Sequence, residues 1–130
     1  MDADLKRVML VEDDDDIRAV AGMALEMVGG LAVRACGSGA EALAAVAEFA
    51  PQLVVLDVMM PRMNGSEVLV QLRAQEATAK IPVVFLTAKA QREEVERLRA
   101  LGVLDVVEKP FDPMTLSDTL KALWAKRPVE

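Results

Sequence analysis

The chain has 130 residues, 53% of them hydrophobic, and a formal net charge of −6. That length suits one domain with a single core rather than two, and the acidic balance argues against a nucleic-acid surface, which gathers Lys and Arg to neutralise phosphates. The absence of histidine removes histidine-based acid–base catalysis, most zinc sites and any phosphohistidine carried by the chain itself.

The start, Met1-Asp2-Ala3-Asp4, is acidic where a signal peptide would be basic, and no apolar stretch approaches the ~20 residues of a membrane span, so a cytoplasmic protein without membrane insertion is expected. Arg7 to Val11 is a short β-type run, followed by the consecutive carboxylates Glu12 to Asp16. Beyond them Ile17, Val20, Ala21, Ala24, Leu25 and Val28 recur at helical spacing until Gly29-Gly30 stops the segment. Met23 and Met27 lie beside that stripe and are expected to pack in the core. Ala32 to Ala35 is a second strand, and Cys36 at its end reads as a buried, reduced thiol with no partner for an internal disulfide. Ser38 and Glu41 form a capping box for a helix from Gly39 to about Phe49, with Pro51 beyond its end.

Leu53 to Leu56 is a third strand, ended by Asp57, and Asn64-Gly65 precedes a helix running to about Gln75. Val83 to Leu86 leads to Thr87, and a fourth helix over Gln91 to Ala100 is ended by Gly102. Val103 to Val107 is the fifth strand, with Lys109 just beyond it. Asp112-Pro113 reads as an N-cap followed by proline at the first helical position, opening a helix to near Ala125 that turns Leu116, Leu120, Leu123 and Trp124 inward. Five βα units predict an α/β fold, a parallel sheet covered on both faces by right-handed crossover helices. Residues 1–130 are expected to form a single domain, core about 5–126, with no linker and no output domain.

Glu12, Asp13, Asp57, Thr87 and Lys109 each follow an apolar run. They therefore fall at the C-terminal ends of strands, where open α/β folds build their sites. Acids favour the positive end of a helix, which accounts for Asp14, Asp15 and Asp16 as solvated first-turn residues. Glu12 and Asp13 are nearer the strand end, and Asp57 ends the third strand. Three ionised carboxylates roughly 5 Å apart repel by ~3 kcal/mol per pair at an effective dielectric near 20, and a cation relieves that. Oxygen-only ligation suits Mg²⁺ or Mn²⁺. Thr87 alone is compatible with a helix cap and Lys109 with an ordinary surface lysine; their coincidence with the acids at strand ends points instead to phosphoryl chemistry.

Leu10-Val11-Glu12-Asp13-Asp14, Leu56-Asp57-Val58-Met59-Met60-Pro61, Leu86-Thr87-Ala88 and Lys109-Pro110-Phe111 together resemble the receiver domain of bacterial response regulators, the CheY-like family, over nearly the whole chain. The resemblance implies a flavodoxin-like, doubly wound, five-stranded sheet in the order 2-1-3-4-5 with five helices. It implies that Asp57 is the phosphoacceptor, that Glu12, Asp13, Asp57 and the backbone carbonyl of Met59 hold Mg²⁺, and that Thr87 and Lys109 meet phosphoryl oxygens. A cis bond between Lys109 and Pro110 goes with it.

As donor it implies a sensor histidine kinase or histidine phosphotransfer protein, docking on the first helix and the loop after the fifth strand, near Arg18, Gly22, Pro110 and Phe111. The chain would be a stand-alone, single-domain response regulator of a two-component system or phosphorelay. It would act as a phosphoacceptor rather than an enzyme, signalling by protein–protein interaction to a downstream protein target. By the same resemblance Met59 and Lys89 border the path of a hydrolytic water, and neither side chain orients one, so slow loss of phosphate is expected.

Two positions depart from the family pattern. Glu12 replaces the commoner aspartate, and Val106 stands where an aromatic residue usually switches between exposed and buried states. Val106 keeps open a receiver-like interaction module with weakened phospho-switching. A phosphohydrolase of the haloacid dehalogenase type would need a second aspartate two residues after the nucleophile, where this chain has Met59. A Rossmann-type nucleotide module would need a glycine-rich loop after the first strand, where this chain has acids.

Overall fold

In a computed structural model, the chain is described over residues 4–88 and 92–128. Five strands, β1 (Arg7–Val11), β2 (Ala32–Cys36), β3 (Leu53–Asp57), β4 (Val83–Thr87) and β5 (Asp105–Glu108), form one parallel sheet in the order β2-β1-β3-β4-β5. The crossovers carry α1 (Asp15–Met23), α2 (Gly39–Phe49), α3 (Gly65–Ala74) and α4 (Arg92–Arg99), and α5 (Leu116–Ala125) follows β5. Alternation along the strands divides the core between the two faces. Val8, Leu10, Leu53, Val55, Val84 and Leu86 pack under α1 and α5, together with the buried Ala21, Leu25, Leu116, Leu120 and Trp124. Met9, Val11, Val54, Leu56, Val83 and Phe85 face the opposite layer, with Ala42, Val46, Val68, Leu69, Leu72 and Leu98 from α2, α3 and α4. The central strands β3 and β4 are buried throughout, whereas β2 at the edge is mostly exposed until Cys36, a buried free thiol.

Several local expectations are corrected. The first helix does not stay α-helical to its end: Ala24–Val28 is a π-helical segment, with the Gly29 N–H reaching Ala24 O at 3.2 Å. The wider turn takes Val28 out of the core stripe, and it is half exposed. Met23 and Met27 are not core residues; they are 57% and 78% exposed. At ~100° per residue Met23 lies on the far side of the helix from Ala21, and α1 presents only one face to the sheet. At α2, Ser38 Oγ accepts from the Glu41 N–H at 3.1 Å, but the Glu41 carboxylate reaches the Gly37 N–H, so the capping box is only half formed. The full box is at α3, between Asn64 and Glu67.

β5 begins at Asp105, not Val103, although the Leu104 N–H already bonds Val83 O. Asp112 does not cap α5 directly. Its carboxylate accepts from the Met114 N–H in a tight turn, its carbonyl from Thr115 and Leu116, and α5 starts at Leu116 after Thr115. Gln91, expected to open the fourth helix, lies outside the described residues. Among the described residues no helix is long and apolar enough to cross a membrane.

Candidate functional site

The C-terminal ends of β1, β3, β4 and β5 bring the polar residues together. β1 runs beside β3 with Val11 opposite Leu56, which sets Glu12 against Asp57. Glu12, Asp13 and Asp57 each offer a carboxylate oxygen within 4.8 Å of the others; Glu12 and Asp57 are buried and Asp13 opens to the surface. Lys109 enters from the loop after β5, where its peptide bond to Pro110 is cis. Its ammonium lies 2.9 Å from Glu12 Oε1 and 3.3 Å from Asp57 Oδ2. The Lys109 N–H is held by the carbonyl of Thr87 at 2.8 Å, which ties the end of β4 to the lysine.

Backbone donors complete the frame. The Asp14 N–H reaches Glu12 Oε2 at 3.1 Å and the Met59 N–H reaches Asp57 Oδ1 at 3.2 Å. The loop after β3 folds back tightly on the strand that carries Asp57: a Cβ on Gly65 would come within 2.6 Å of Asp57 O and 2.9 Å of Val58 Cα, so only glycine fits. Asn64, one residue earlier, caps α3 and fixes the return of the chain.

Electrostatics separate the two buried acids. Burial, and then the hydrogen bond and charge of Glu12, push the Asp57 carboxyl up to about 7. Burial works against ionisation of Glu12 as well. There it is outweighed by hydrogen bonds to Asp57, Lys109 and the Asp14 backbone, which hold the Glu12 carboxyl below its usual range. Lys109 is shielded from water, yet its two carboxylate partners keep its ammonium protonated above the ordinary lysine value. Glu12 and Asp57 share one ammonium with Asp13 beside them, so with all three carboxylates ionised the oxygen donors carry an excess of negative charge.

A family model and solved structures match this fold. The response regulator receiver domain model matches residues 8–121. The chain belongs to that family. The phosphate regulon transcriptional regulatory protein PhoB of Pseudomonas aeruginosa is 34% identical over 91% of this chain and 51% of its own length. The DNA-binding response regulator MtrA of Mycolicibacterium smegmatis is 37% identical over 94% of this chain and 52% of its own. The chain thus spans about half the length of the curated relatives it matches. Among solved structures, the chemotaxis response regulator CheY4 of Vibrio cholerae superimposes with a TM-score of 0.83 at 30% identity, covering 92% of this chain and 98% of that one. A response regulator from Desulfuromonas acetoxidans gives 0.84 at 28%, covering 92% and 97%.

In this receiver domain Thr87 ends β4 with its side chain buried, beside the β3 end that carries Asp57. Met59, two residues after Asp57, is 73% exposed, and Lys89 lies outside the described residues. Of the residues expected at a donor contact, Pro110 is exposed and Phe111 half-buried. Both line an open depression of about 600 Å³ with Ile17, Val20 and Lys109. Gly22 is covered, although a Cβ there would meet nothing within 4 Å. Arg18 turns its guanidinium into the loop after β1 instead of outward. No sequence pattern marks that role, and the close approach at Gly65 is hinted at only by the pair Asn64-Gly65.

Proposed function

We propose that this receiver domain accepts a phosphoryl group on Asp57 from a phosphohistidine donor, a sensor histidine kinase or a histidine phosphotransfer protein, with Mg²⁺ or Mn²⁺ at the acidic cluster. The observation that carries the reading is the buried constellation in which Glu12 and Asp57 share the Lys109 ammonium, with Asp13 alongside. The donor set supports a hard divalent cation, being all oxygen and, with every carboxylate ionised, retaining two uncompensated negative charges after Lys109 is counted. Glu12, Asp13, Asp57 and the Met59 carbonyl would hold the ion. When bound it supplies charge neutralisation for nucleophile and phosphoryl oxygens alike.

The chain's own groups then have defined tasks. An Asp57 oxygen forms the new bond to phosphorus as the bond to the donor's imidazole nitrogen breaks, and the imidazole leaves. Attack requires ionised Asp57, and a carboxyl sitting near 7 is ionised fully only when neighbouring charge is relieved. Lys109, already bridging Glu12 and Asp57, can exchange one of those contacts for a phosphoryl oxygen. The Thr87 hydroxyl donates to another. The depression between α1 and the loop after β5, lined by Ile17, Val20, Pro110 and Phe111, gives the donor's histidine an approach toward Lys109.

On this reading the domain is a phosphoacceptor rather than an enzyme acting on a separate substrate. The net charge of −6 favours a protein over a nucleic acid as the immediate partner of this unit. Val106 favours a second reading of the output step. It is partly buried against the layer that holds Phe85 and Leu98, and with no ring to expose or withdraw, output does not run through an aromatic switch. Intact-mass spectrometry after incubation with acetyl phosphate tests the proposal. Wild type should gain one phosphate with Mg²⁺ present, and neither Asp57→Asn nor an EDTA-treated sample should; an adduct in either control sinks the assignment.

A further inference from the structure

Arg18 lies in the first half of α1, half-shielded from solvent, with its side chain directed back along the chain toward the strand end. Nη1 donates to the carbonyl of Glu12 at 2.9 Å and approaches that of Asp13 at 3.5 Å. Nη2 pairs with Asp15 at 2.6 Å, so the planar fork is held on both sides. Space for the guanidinium comes from Gly37 in the loop after β2, where an added Cβ would come within 3.1 Å of Nη1. The same loop is secured by Glu41, which accepts from the Gly37 N–H at 3.0 Å.

We infer that Arg18 is a positioning residue: by gripping the carbonyls of Glu12 and Asp13 it sets the β1–α1 loop so that both carboxylates face Asp57. Those two residues sit where β1 has ended and α1 has not begun, and the pairing of β1 with its neighbours stops at Val11. Past that point the segment is held by the Glu12 N–H on Cys36 O at 3.0 Å, by the Asp14 N–H on the Glu12 carboxylate and by Arg18. Of these three contacts, that of Arg18 comes from a side chain outside the acidic cluster, so a substitution removes it and leaves every carboxylate in place. Residues that orient ligands of a metal commonly change affinity by ten- to a hundredfold when lost.

Charge and position predict opposite signs, which makes the role testable. As a charge alone, Arg18 repels a divalent cation, and removing it tightens binding; as a positioning residue, its loss weakens binding. The inference rests on the acidic cluster being a divalent-cation site, so wild type, Asp13→Asn, Arg18→Met and Arg18→Lys are titrated with MgCl₂ at constant ionic strength, following backbone amides by NMR. Thermal melts in EDTA are recorded alongside. Arg18→Met should bind Mg²⁺ about tenfold more weakly than wild type while remaining folded. Arg18→Lys, which keeps the charge but not the fork, should bind about threefold more weakly, and it carries the test if Arg18→Met does not fold. Unchanged or tighter binding in the folded variants overturns the inference. Absence of any Mg²⁺ response in wild type, or a response equal in Asp13→Asn, instead overturns the cation site itself.

Discussion

Replacing Asp57 with asparagine should stabilise the metal-free protein. The ligand oxygens of Glu12, Asp13 and Asp57 lie within 4.8 Å of one another, so each ionised pair repels by at least about 3.5 kcal/mol at an effective dielectric near 20. Neutralising Asp57 relieves two such pairs and gives up the Lys109 contact at 3.3 Å, worth about 5 kcal/mol on the same scale. The charge contributions alone give a gain of at least about 2 kcal/mol, or about 6 °C for a chain of this size, and relief of the buried charge on Asp57 adds to it. Asparagine is nearly isosteric, and its amide can donate to Glu12 where the protonated Asp57 would.

The effect has a defined pH dependence. Asp57 sits at about 7 in the fold against 3.8 as its ordinary value. The proton held on Asp57 therefore contributes stability that is fully present below 3.8 and is lost as pH rises through about 7. Wild type in EDTA should lose melting temperature between pH 5 and pH 8 more steeply than Asp57→Asn, with the largest gap at the alkaline end. Saturating Mg²⁺ should then raise wild type more than the variant, which has lost a ligand. Differential scanning calorimetry across that series is the assay. Equal or lower melting temperatures for Asp57→Asn at pH 8, with parallel pH slopes, would mean that the acids are solvated and independent.

Three more substitutions each probe a single contact. Phe111→Ala should slow transfer from a cognate phosphohistidine donor and leave acetyl phosphate labelling at the wild-type rate, read by radiolabel transfer; loss of both would indicate a damaged site. Met59→Asn should shorten the lifetime of the phosphorylated state after the donor is removed at constant Mg²⁺, because the amide can orient a water that methionine cannot, and an unchanged or longer lifetime contradicts the shielding role. Gly65→Ala should cost about 2 kcal/mol in urea denaturation, since its Cβ would meet the backbone of Asp57 and Val58. A change under about 0.5 kcal/mol would show that the loop relaxes freely.

Much of the fold and of the site is legible in the amino-acid sequence. Strands read directly because fully buried parallel strands are uninterrupted apolar runs, and Leu53 to Leu56 and Val83 to Leu86 are such runs. Site residues read directly because each sits where a run ends. Sheet order comes from the motifs and not from periodicity, which carries no information about which strands are neighbours. The features that stay hidden depend on contacts across the fold. Nothing in the α1 sequence marks a π segment, so the helical stripe points Val28 inward, and it draws Met23 and Met27 toward a core that α1 meets with only one face. The start of α5 is obscured because Asp112-Pro113 has the composition of a cap, while the chain first makes a turn around Asp112. Arg18 resembles any other helix-surface cation in the sequence, since its partners at Glu12 and Asp13 are backbone carbonyls that no side-chain pattern reveals.

The phosphoacceptor role is tested most directly by locating the modified residue. Protein treated with acetyl phosphate and Mg²⁺ is reduced with borohydride, which converts an aspartyl phosphate to homoserine, then digested and sequenced by tandem mass spectrometry. Homoserine should be found at position 57 and nowhere else, and should be missing when EDTA replaces Mg²⁺. Homoserine at Asp13 or another acid, with Asp57 left intact, would contradict the assignment of Asp57 as nucleophile.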